Sequence, residues 1–169
     1  MLYQPVHIAT VILYNCLVKE IKKNHYVDTV IYSVDMIIRT VKSELRQRVD
    51  DLGMGITSEQ FVVLDTICCY KNIYQQQLSD ILMKDKSNTT RIIKLLEQKE
   101  FIKRTVSNSN GKLVYMLEAT EKGKNLIKDN MPSIKKFITD IFENITDEEI
   151  EMLHKLSAKF QKDLSNIQK

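Results

Sequence analysis

The residues best suited to chemical recognition in this sequence form a short polar run, Ser87 to Arg91. The run reads Ser-Asn-Thr-Thr-Arg and opens an amphipathic helical pattern with apolar positions at Ile92, Ile93 and Leu96. Short polar and β-branched side chains are weak helix formers, so their place here needs a reason. Asparagine can pair with adenine, arginine with guanine, and a threonine methyl group can contact that of thymine. The run therefore predicts a helix whose leading turn contacts DNA bases, although polar residues at a helix start can also be simple caps.

The charge around this run supports the same interpretation. Between Lys84 and Arg104, seven basic residues stand against three acidic ones, an excess of +4 compared with +3 for the whole chain. Such a focused basic segment is typical of a surface that docks on phosphates, which the unpaired N–H groups of a helix start also favour. Eight residues of this segment are predicted to contact DNA: Lys86, Ser87, Asn88, Thr89, Thr90, Arg91, Lys94 and Arg104.

Two further helices are predicted before this one. Thr57 and Gln60 stand at the spacing of a capping box and predict the start of the first helix. "YKNIY", residues 70–74, predicts a turn, and a short helix follows over about residues 76–83. "KDKS" then separates it from the helix over 87–98, for which either Asp85 or Ser87 could be the cap. Two short helices joined in this way predict a helix-turn-helix.

After the helix-turn-helix, the sequence pattern changes from that of helices to that of β-strands. "FIKRTV" and "KLVYMLE" are β-branched and aromatic runs of strand length, separated by "SNSNG". Asn110-Gly111 is a strong hairpin signal, because a type I′ turn needs positive φ at both central residues. Three helices followed by a hairpin predict a winged helix-turn-helix.

Long amphipathic helices are predicted on both sides of this module. On the N-terminal side they cover residues 6–23 and about 26–48, and Thr120 and Thr146 begin two more on the C-terminal side. Pro132 predicts a kink or break near Asn130. Because such helices need a partner for their apolar faces, we expect a homodimer with twofold symmetry.

The fold class expected is therefore mainly α with a small β-hairpin wing (α+β), a winged helix-turn-helix flanked by N- and C-terminal dimerisation helices. Only four glycines and two prolines occur, which agrees with long helices. The predicted divisions are 1–52 for N-terminal dimerisation, 53–119 for the DNA-binding module and 120–169 for C-terminal dimerisation. The function expected is that of a sequence-specific regulator binding double-stranded DNA. A winged helix serving only an architectural or protein-interaction role remains an alternative.

Other chemistry finds little support in the sequence. The three cysteines have no framework or metal-ligand spacing, and the three histidines are scattered, so neither a disulfide scaffold nor a metal site is expected. No phosphate loop or catalytic motif occurs, and we expect neither an enzyme nor a cofactor. The apolar run "HIATVILYNCLV" is too short to span a bilayer and lacks the flanks of a signal peptide, so a cytoplasmic protein with reduced thiols is expected.

These segments resemble the MarR-type family of bacterial transcription regulators. "GITSEQFVVLDTI" is similar to the family's Leu-Thr-x-x-Gln-Phe-x-x-Leu helix, and "LEATEKG" to the Leu-Thr-x-x-Gly that opens the helix after the wing. "QLSDILMKDKSNTTRIIKLLEQKEFIKR" is similar to its paired helices and first wing strand. The resemblance implies a homodimer whose recognition helices enter adjacent major grooves of a pseudopalindrome. It also implies repression, often relieved by a small ligand or by thiol oxidation.

Two positions depart from the family pattern. The wing tip usually reads Asp-Arg-Arg, whereas here it reads Asn110-Gly111-Lys112, so Lys112 is the candidate for the missing arginine's DNA contact. Lysine lacks the planar fork of arginine, and we expect weaker wing contacts. The glycine that usually ends the recognition helix is replaced by Glu100, which would be strained in a left-handed conformation.

The resemblance also suggests regulatory sites. A small-molecule effector could bind in a pocket between the dimerisation helices and the winged module. Tyr32, Met36, Ile67 and Tyr70 could line it, although they could equally be core residues. A thiol-based redox sensor is a further alternative, with Cys16 and Cys68 as its candidates, although core packing explains Cys68 as well.

Overall fold

The computed structural model describes residues 25–70, 72–109 and 112–167. The helix predicted over 6–23, the wing tip at Asn110-Gly111 and the side chain of Lys112 lie outside the described part. The chain divides into two compact units, one ending at Ser58 and the other beginning at Glu59. The three-part division expected from the sequence remains a prediction.

The described part of the first unit, from residue 25 on, contains one long helix. A 3-10 turn at Tyr26–Asp28 precedes helix α1, Val30–Asp51, where the sequence predicted a single helix from residue 26. Thr29 separates the two, because its hydroxyl donates to the carbonyl of Tyr26 at 2.7 Å and accepts from the N–H of Tyr32 at 3.3 Å. Much of α1's apolar stripe is exposed: Val30, Ile31, Val34, Ile37 and Ile38.

The second unit is a winged helix-turn-helix followed by two long helices, as the sequence predicted. Helices α2, α3 and α4 come first, strands β2 and β3 form the wing, and helices α5 and α6 complete the chain. Their bounds are α2 Ser58–Cys69, β1 Ile73–Tyr74, α3 Gln75–Ile81, α4 Lys86–Gln98, β2 Ile102–Ser109, β3 Lys112–Ala119, α5 Glu121–Ile141 and α6 Asp147–Ile167.

The sheet has three antiparallel strands in the order β1-β3-β2. Ile73 pairs with Leu117, and Ile102 pairs with Ala119. The prediction of a plain turn at residues 70–74 was wrong at Ile73 and Tyr74. A two-residue strand carries no periodic pattern, and only its pairing with β3 makes it a strand.

The core of the second unit lies where α2, α3, α4 and the sheet meet. Its largest fully buried apolar side chains come from α2, α3, α4 and strand β3: Val63, Leu64, Ile67, Leu78, Ile92, Ile93, Leu96 and Leu117. Helix α3 packs on α4 and on the sheet, and α4 packs on β2. The core thereby holds α4 by its apolar face and leaves the opposite face in solvent.

Both helices of the helix-turn-helix end in a Schellman motif without glycine. After α3, Met83 has φ of 48°, and the N–H of Lys84 donates to the carbonyl of Ser79 at 3.1 Å. After α4, Glu100 has φ of 61°, and the N–H of Phe101 donates to the carbonyl of Leu96 at 3.0 Å. Glu100 therefore does adopt the left-handed conformation that was considered for it from the sequence, one that its Cβ atom disfavours.

The long C-terminal helices begin where the sequence predicted. Thr120 caps α5 by accepting from the N–H of Gly123 at 3.1 Å, and Thr146 and Glu149 form the reciprocal capping box of α6. Pro132 lies inside α5 without breaking it, so the break allowed near Asn130 does not occur. No residue of α6 is buried. None of the helices in the described part is long and apolar enough to cross a bilayer.

Candidate nucleic-acid interface

The polar run at the start of α4 is not the helix cap. Asp85 is the N-cap, and its carboxylate accepts from the N–H of Asn88 at 2.7 Å. The capping alternative is thereby removed for Ser87, because a residue outside the run already satisfies the orphan N–H group. The Ser87 side chain is therefore not needed as the cap.

Most of the predicted contact residues share the solvent face of α4. Asn88 is half-buried, and the others on this face are exposed: Lys86, Ser87, Thr90, Arg91 and Lys94. Thr89 is the exception. It is 0% exposed, and its hydroxyl donates to the carbonyl of Asp85 at 3.0 Å. The prediction that Thr89 contacts DNA was therefore wrong, because this position turns into the core one residue before the exposed Thr90.

Asn88 and Arg91 form a pair on this face. One Nη atom of Arg91 donates to the Oδ1 atom of Asn88 at 3.1 Å, across one helical turn. The contact holds together an amide and a guanidinium, the two groups suited to adenine and guanine. Their positions are consistent with the predicted base contacts, which remain a prediction.

Arg104 lies at the base of the wing and already has partners. Its Nη2 atom is 3.1 Å from a carboxylate oxygen of Glu97, and its guanidinium lies 4.8 Å from the ring centre of Tyr115. These contacts join α4, β2 and β3, so Arg104 has a structural role in orienting the wing. A phosphate contact by Arg104 would have to compete with Glu97.

Carboxylates from outside the basic segment reduce its excess charge. Lys84 pairs with Glu59 at 3.3 Å, and Lys103 pairs with Glu118 at 2.9 Å. The hydrogen bond from Lys103 holds the pKa of the Glu118 carboxyl below its ordinary value. Adding these two acidic partners lowers the excess from +4 to +2. The charge available to DNA is therefore concentrated on α4, at Lys86, Arg91 and Lys94.

Gln75 is a residue of this surface that sequence reasoning missed. It opens α3, and its Nε2 atom donates to the Thr90 hydroxyl at 2.8 Å. The two residues border a cleft of about 310 Å³ between α3, α4 and β3, which Lys86 and Tyr115 also line. No local pattern reveals a bond between side chains 15 positions apart, because only the packing of α3 on α4 brings them together.

The four predicted effector-pocket residues divide between the two units. Ile67 and Tyr70 border a cavity of about 230 Å³ in the second unit, together with Cys68, Glu118 and Lys124. Tyr32 and Met36 belong to α1, where the ring of Tyr32 packs edge-on against Tyr26 at 5.8 Å. The effector pocket remains a prediction.

The thiol of Cys68 is poorly suited to redox sensing. Burial, with a smaller effect of the Asp65 carboxylate, raises its pKa to about 11. A thiol of this kind is almost entirely protonated near neutral pH, whereas oxidants react with the thiolate. The raised pKa favours the packing role of Cys68 over the redox role, which stays a prediction, and Cys16 lies outside the described residues. Within those residues, no cluster of histidine, cysteine and acidic side chains could hold a metal ion.

The chain is similar to known transcription regulators. Residues 56–114 match the family model described as "MarR family". The HTH-type transcriptional regulator MhqR of Bacillus subtilis is 25% identical over 114 residues, which are 68% of this chain and 77% of MhqR. The solved structure of the transcriptional regulator SlyA is 26% identical with a TM-score of 0.69, over 81% of this chain and 94% of that one.

A second solved structure carries DNA. It is a MarR family transcriptional regulator from Listeria monocytogenes complexed with a 26mer DNA, 27% identical with a TM-score of 0.71, over 82% of this chain and 91% of that one. The proteins matched are transcription regulators rather than enzymes, in agreement with the prediction from the sequence. Residues 56–114 therefore form a MarR-family domain, and the described fold is that of the MarR-family transcription regulators it matches.

Proposed function

We propose that this protein is a homodimeric repressor that binds a pseudopalindromic DNA site in the bacterial cytoplasm. The main support for a dimer is the exposed apolar stripe of α6. Leu153, Leu156, Phe160 and Leu164 recur at three- and four-residue spacing and are 43–59% exposed. A 21-residue helix with no buried residue has little to stabilise it, so a second copy of the chain would supply the missing contacts.

The DNA contact of the proposal rests on α4. Its N-cap is Asp85 and not Ser87, and it presents Asn88 and Arg91 side by side between exposed lysines. A helix of this kind fits the major groove, where amide and guanidinium groups distinguish base pairs. The DNA complex of the Listeria relative, which has the same fold, supports this use of the surface.

Repression and its relief are the finer part of the proposal. A dimer with a recognition helix in each of two neighbouring major grooves would cover the DNA that a polymerase needs. A small-molecule effector would be the signal for release, and the cavity beside Ile67 and Tyr70 in the second unit is the proposed place for it.

Fluorescence anisotropy tests the DNA function directly. The protein is titrated onto the DNA upstream of its own gene and onto a scrambled duplex, across a range of salt. We expect a preference of about a thousandfold or more for the upstream DNA, with two protomers per site. Equal and strongly salt-dependent binding to both duplexes would instead indicate the architectural alternative.

A pair of variants tests the dimer. Phe160→Asp places a charge in the apolar stripe of α6, and we expect light scattering to show monomers that bind the DNA far more weakly. Gln161→Asp is the control, because its neighbouring position lies off the stripe and introduces the same charge. Unchanged dimers in the Phe160 variant would contradict the proposed role of α6.

A further inference from the structure

The hydroxyl group of Thr90 is already used inside the protein. Its proton is donated to the carbonyl oxygen of Lys86 at 2.6 Å, within α4. One of its lone pairs accepts from the Nε2 atom of Gln75 at 2.8 Å. A threonine hydroxyl has a single proton, so this group cannot also donate to a base without giving up the bond to Lys86.

The bond to Gln75 fixes this arrangement from outside α4. Gln75 stands at the first position of α3, so its side chain is anchored on the other helix of the helix-turn-helix. The Oε1 atom of Gln75 is buried and has no hydrogen-bond partner in the described part of the chain. The bond from Nε2 to Thr90 is therefore the polar contact that the Gln75 side chain makes there. Rotation of the Thr90 side chain would break two hydrogen bonds, and one of them joins separate helices.

The methyl group is then the part of the Thr90 side chain with no polar contact to keep. Thr90 is exposed on the same face as Arg91, at the leading end of α4. In the major groove, thymine carries a C5-methyl group that cytosine lacks, and apolar contact can recognise it. A threonine whose hydroxyl is held internally therefore presents the chemistry suited to thymine.

We propose that Thr90 recognises one thymine in each half-site through its methyl group, and that Gln75 is the positioning residue that holds it in this orientation. The proposal rests on the proposed function, because it assumes that α4 enters the major groove. It differs from a general contact by Thr90, since it assigns the recognition to the methyl group and not to the hydroxyl.

The proposal is tested by removing one methyl group from the thymine of the DNA and, separately, one from Thr90 of the protein. The probe is the duplex that the wild-type protein enriches most strongly from a pool of random 26-base-pair sequences. Each symmetric pair of its thymines is replaced by uracil, which lacks only the C5-methyl group. At one pair we expect binding to weaken about fourfold per half-site, the effect of exposing one buried methyl group.

Two variants of Thr90 separate the methyl group from the hydroxyl. Thr90→Ser keeps the hydroxyl, and we expect it to bind the thymine and uracil duplexes equally. Thr90→Val keeps a methyl group, and we expect it to retain the preference for thymine. Thr89→Ser is the matched control, because it removes the same methyl group from the buried neighbour and should leave the thymine preference unchanged. Thermal unfolding confirms that each variant is folded.

Gln75→Leu tests the positioning role. It removes the donor at nearly constant size, and we expect the uracil penalty to shrink while affinity for the uracil duplex changes little. A residue that only stabilises the fold would weaken binding to both duplexes alike.

Three results would overturn the proposal. They are a uracil penalty that persists unchanged in Thr90→Ser, a loss of thymine preference in Thr90→Val, and the absence of any methyl-dependent thymine in an enriched sequence. If no sequence is enriched at all, the proposed function fails and this inference fails with it. That outcome is distinct from sequence-specific binding that does not depend on a methyl group.

Discussion

Gly123 of α5 packs directly against the backbone carbonyl of Phe101, at the point where α4 ends and β2 begins. The same carbonyl accepts from the N–H of Thr120 at 3.0 Å, so the start of α5 is held at this junction by a close contact and a hydrogen bond. A Cβ atom on Gly123 would overlap the Phe101 carbonyl, and it would also approach the side chain of Leu64 at 3.2 Å. The helix that follows the wing can lie this close only because residue 123 has no side chain.

Gly123→Ala is therefore expected to destabilise the protein by about 1–3 kcal/mol, the usual effect of forcing an extra group into a packed site. Urea unfolding measures the loss. Asn125→Ala, an exposed position two residues later on α5, is the control and should change the free energy of unfolding by less than about 0.5 kcal/mol. Equal stability of the two variants would show that α5 can move away from Phe101 without cost.

Glycine is expected to stabilise the C-terminal ends of both helices of the helix-turn-helix, α3 and α4. Met83→Gly and Glu100→Gly each remove a Cβ atom from a left-handed residue, and we expect a gain of about 1 kcal/mol at each position. Met83 is 84% exposed, so no buried contact is lost. Glu100→Ala is the control, because alanine keeps the Cβ atom and should give no gain. Thermal or urea unfolding distinguishes the variants.

The Glu97–Arg104 pair is expected to couple the recognition helix to the wing. A double-mutant cycle with Glu97→Gln and Arg104→Gln should give a coupling energy of about 1 kcal/mol in urea unfolding, reduced in high salt. Both side chains are about one-third exposed or less, which limits solvent screening. The Lys136–Asp140 pair on α5 is far more exposed and is the comparison, with an expected coupling below about 0.5 kcal/mol. Equal coupling in the two pairs would contradict a special role for Arg104.

Arg91 and Lys94 are expected to affect DNA binding in different ways. Arg91→Ala should lose about 1–3 kcal/mol of discrimination at one base-pair position, because its guanidinium can bind guanine through two hydrogen bonds. Lys94→Ala should weaken binding to all duplexes alike and lower the slope of affinity against salt by about 1. Competition between point-mutated duplexes measures the first effect, and a salt titration measures the second. Uniform weakening by Arg91→Ala would leave it as a phosphate contact.

Cys68 is expected to remain reduced and unreactive near neutral pH. Because burial raises its pKa to about 11, iodoacetamide should modify the exposed Cys69 well before Cys68, as peptide mass spectrometry can follow. In the unfolded chain the thiol ionises at about 9, the ordinary value. The unfolded state therefore releases the proton first, and the stability contributed by the protonated thiol is lost as the pH rises from about 9 through about 11. The difference in free energy of unfolding between wild type and Cys68→Ala should be constant below pH 9 and should change only above it. Early oxidation of Cys68 would instead favour the redox role.

The sequence by itself determined the order and type of the principal described elements. The caps at Thr120 and Thr146, the wing strands and the amphipathic period of α4 are local signals, because capping and side-chain periodicity depend on residues a few positions apart. The resemblance to the family pattern pointed to position 100 as the end of the recognition helix, and the structure shows that Glu100 is left-handed there.

Only the tertiary structure decided which polar residues reach the surface and which charges are available. Thr89 and Thr90 are identical neighbours, yet one turns into the core while the other faces solvent beside Gln75. The pairing of Lys84 with Glu59, like the strand at Ile73 and Tyr74, depends on segments far apart in the chain. Partners of this kind are set by how helices and strands pack against one another, which no local spacing of residues encodes.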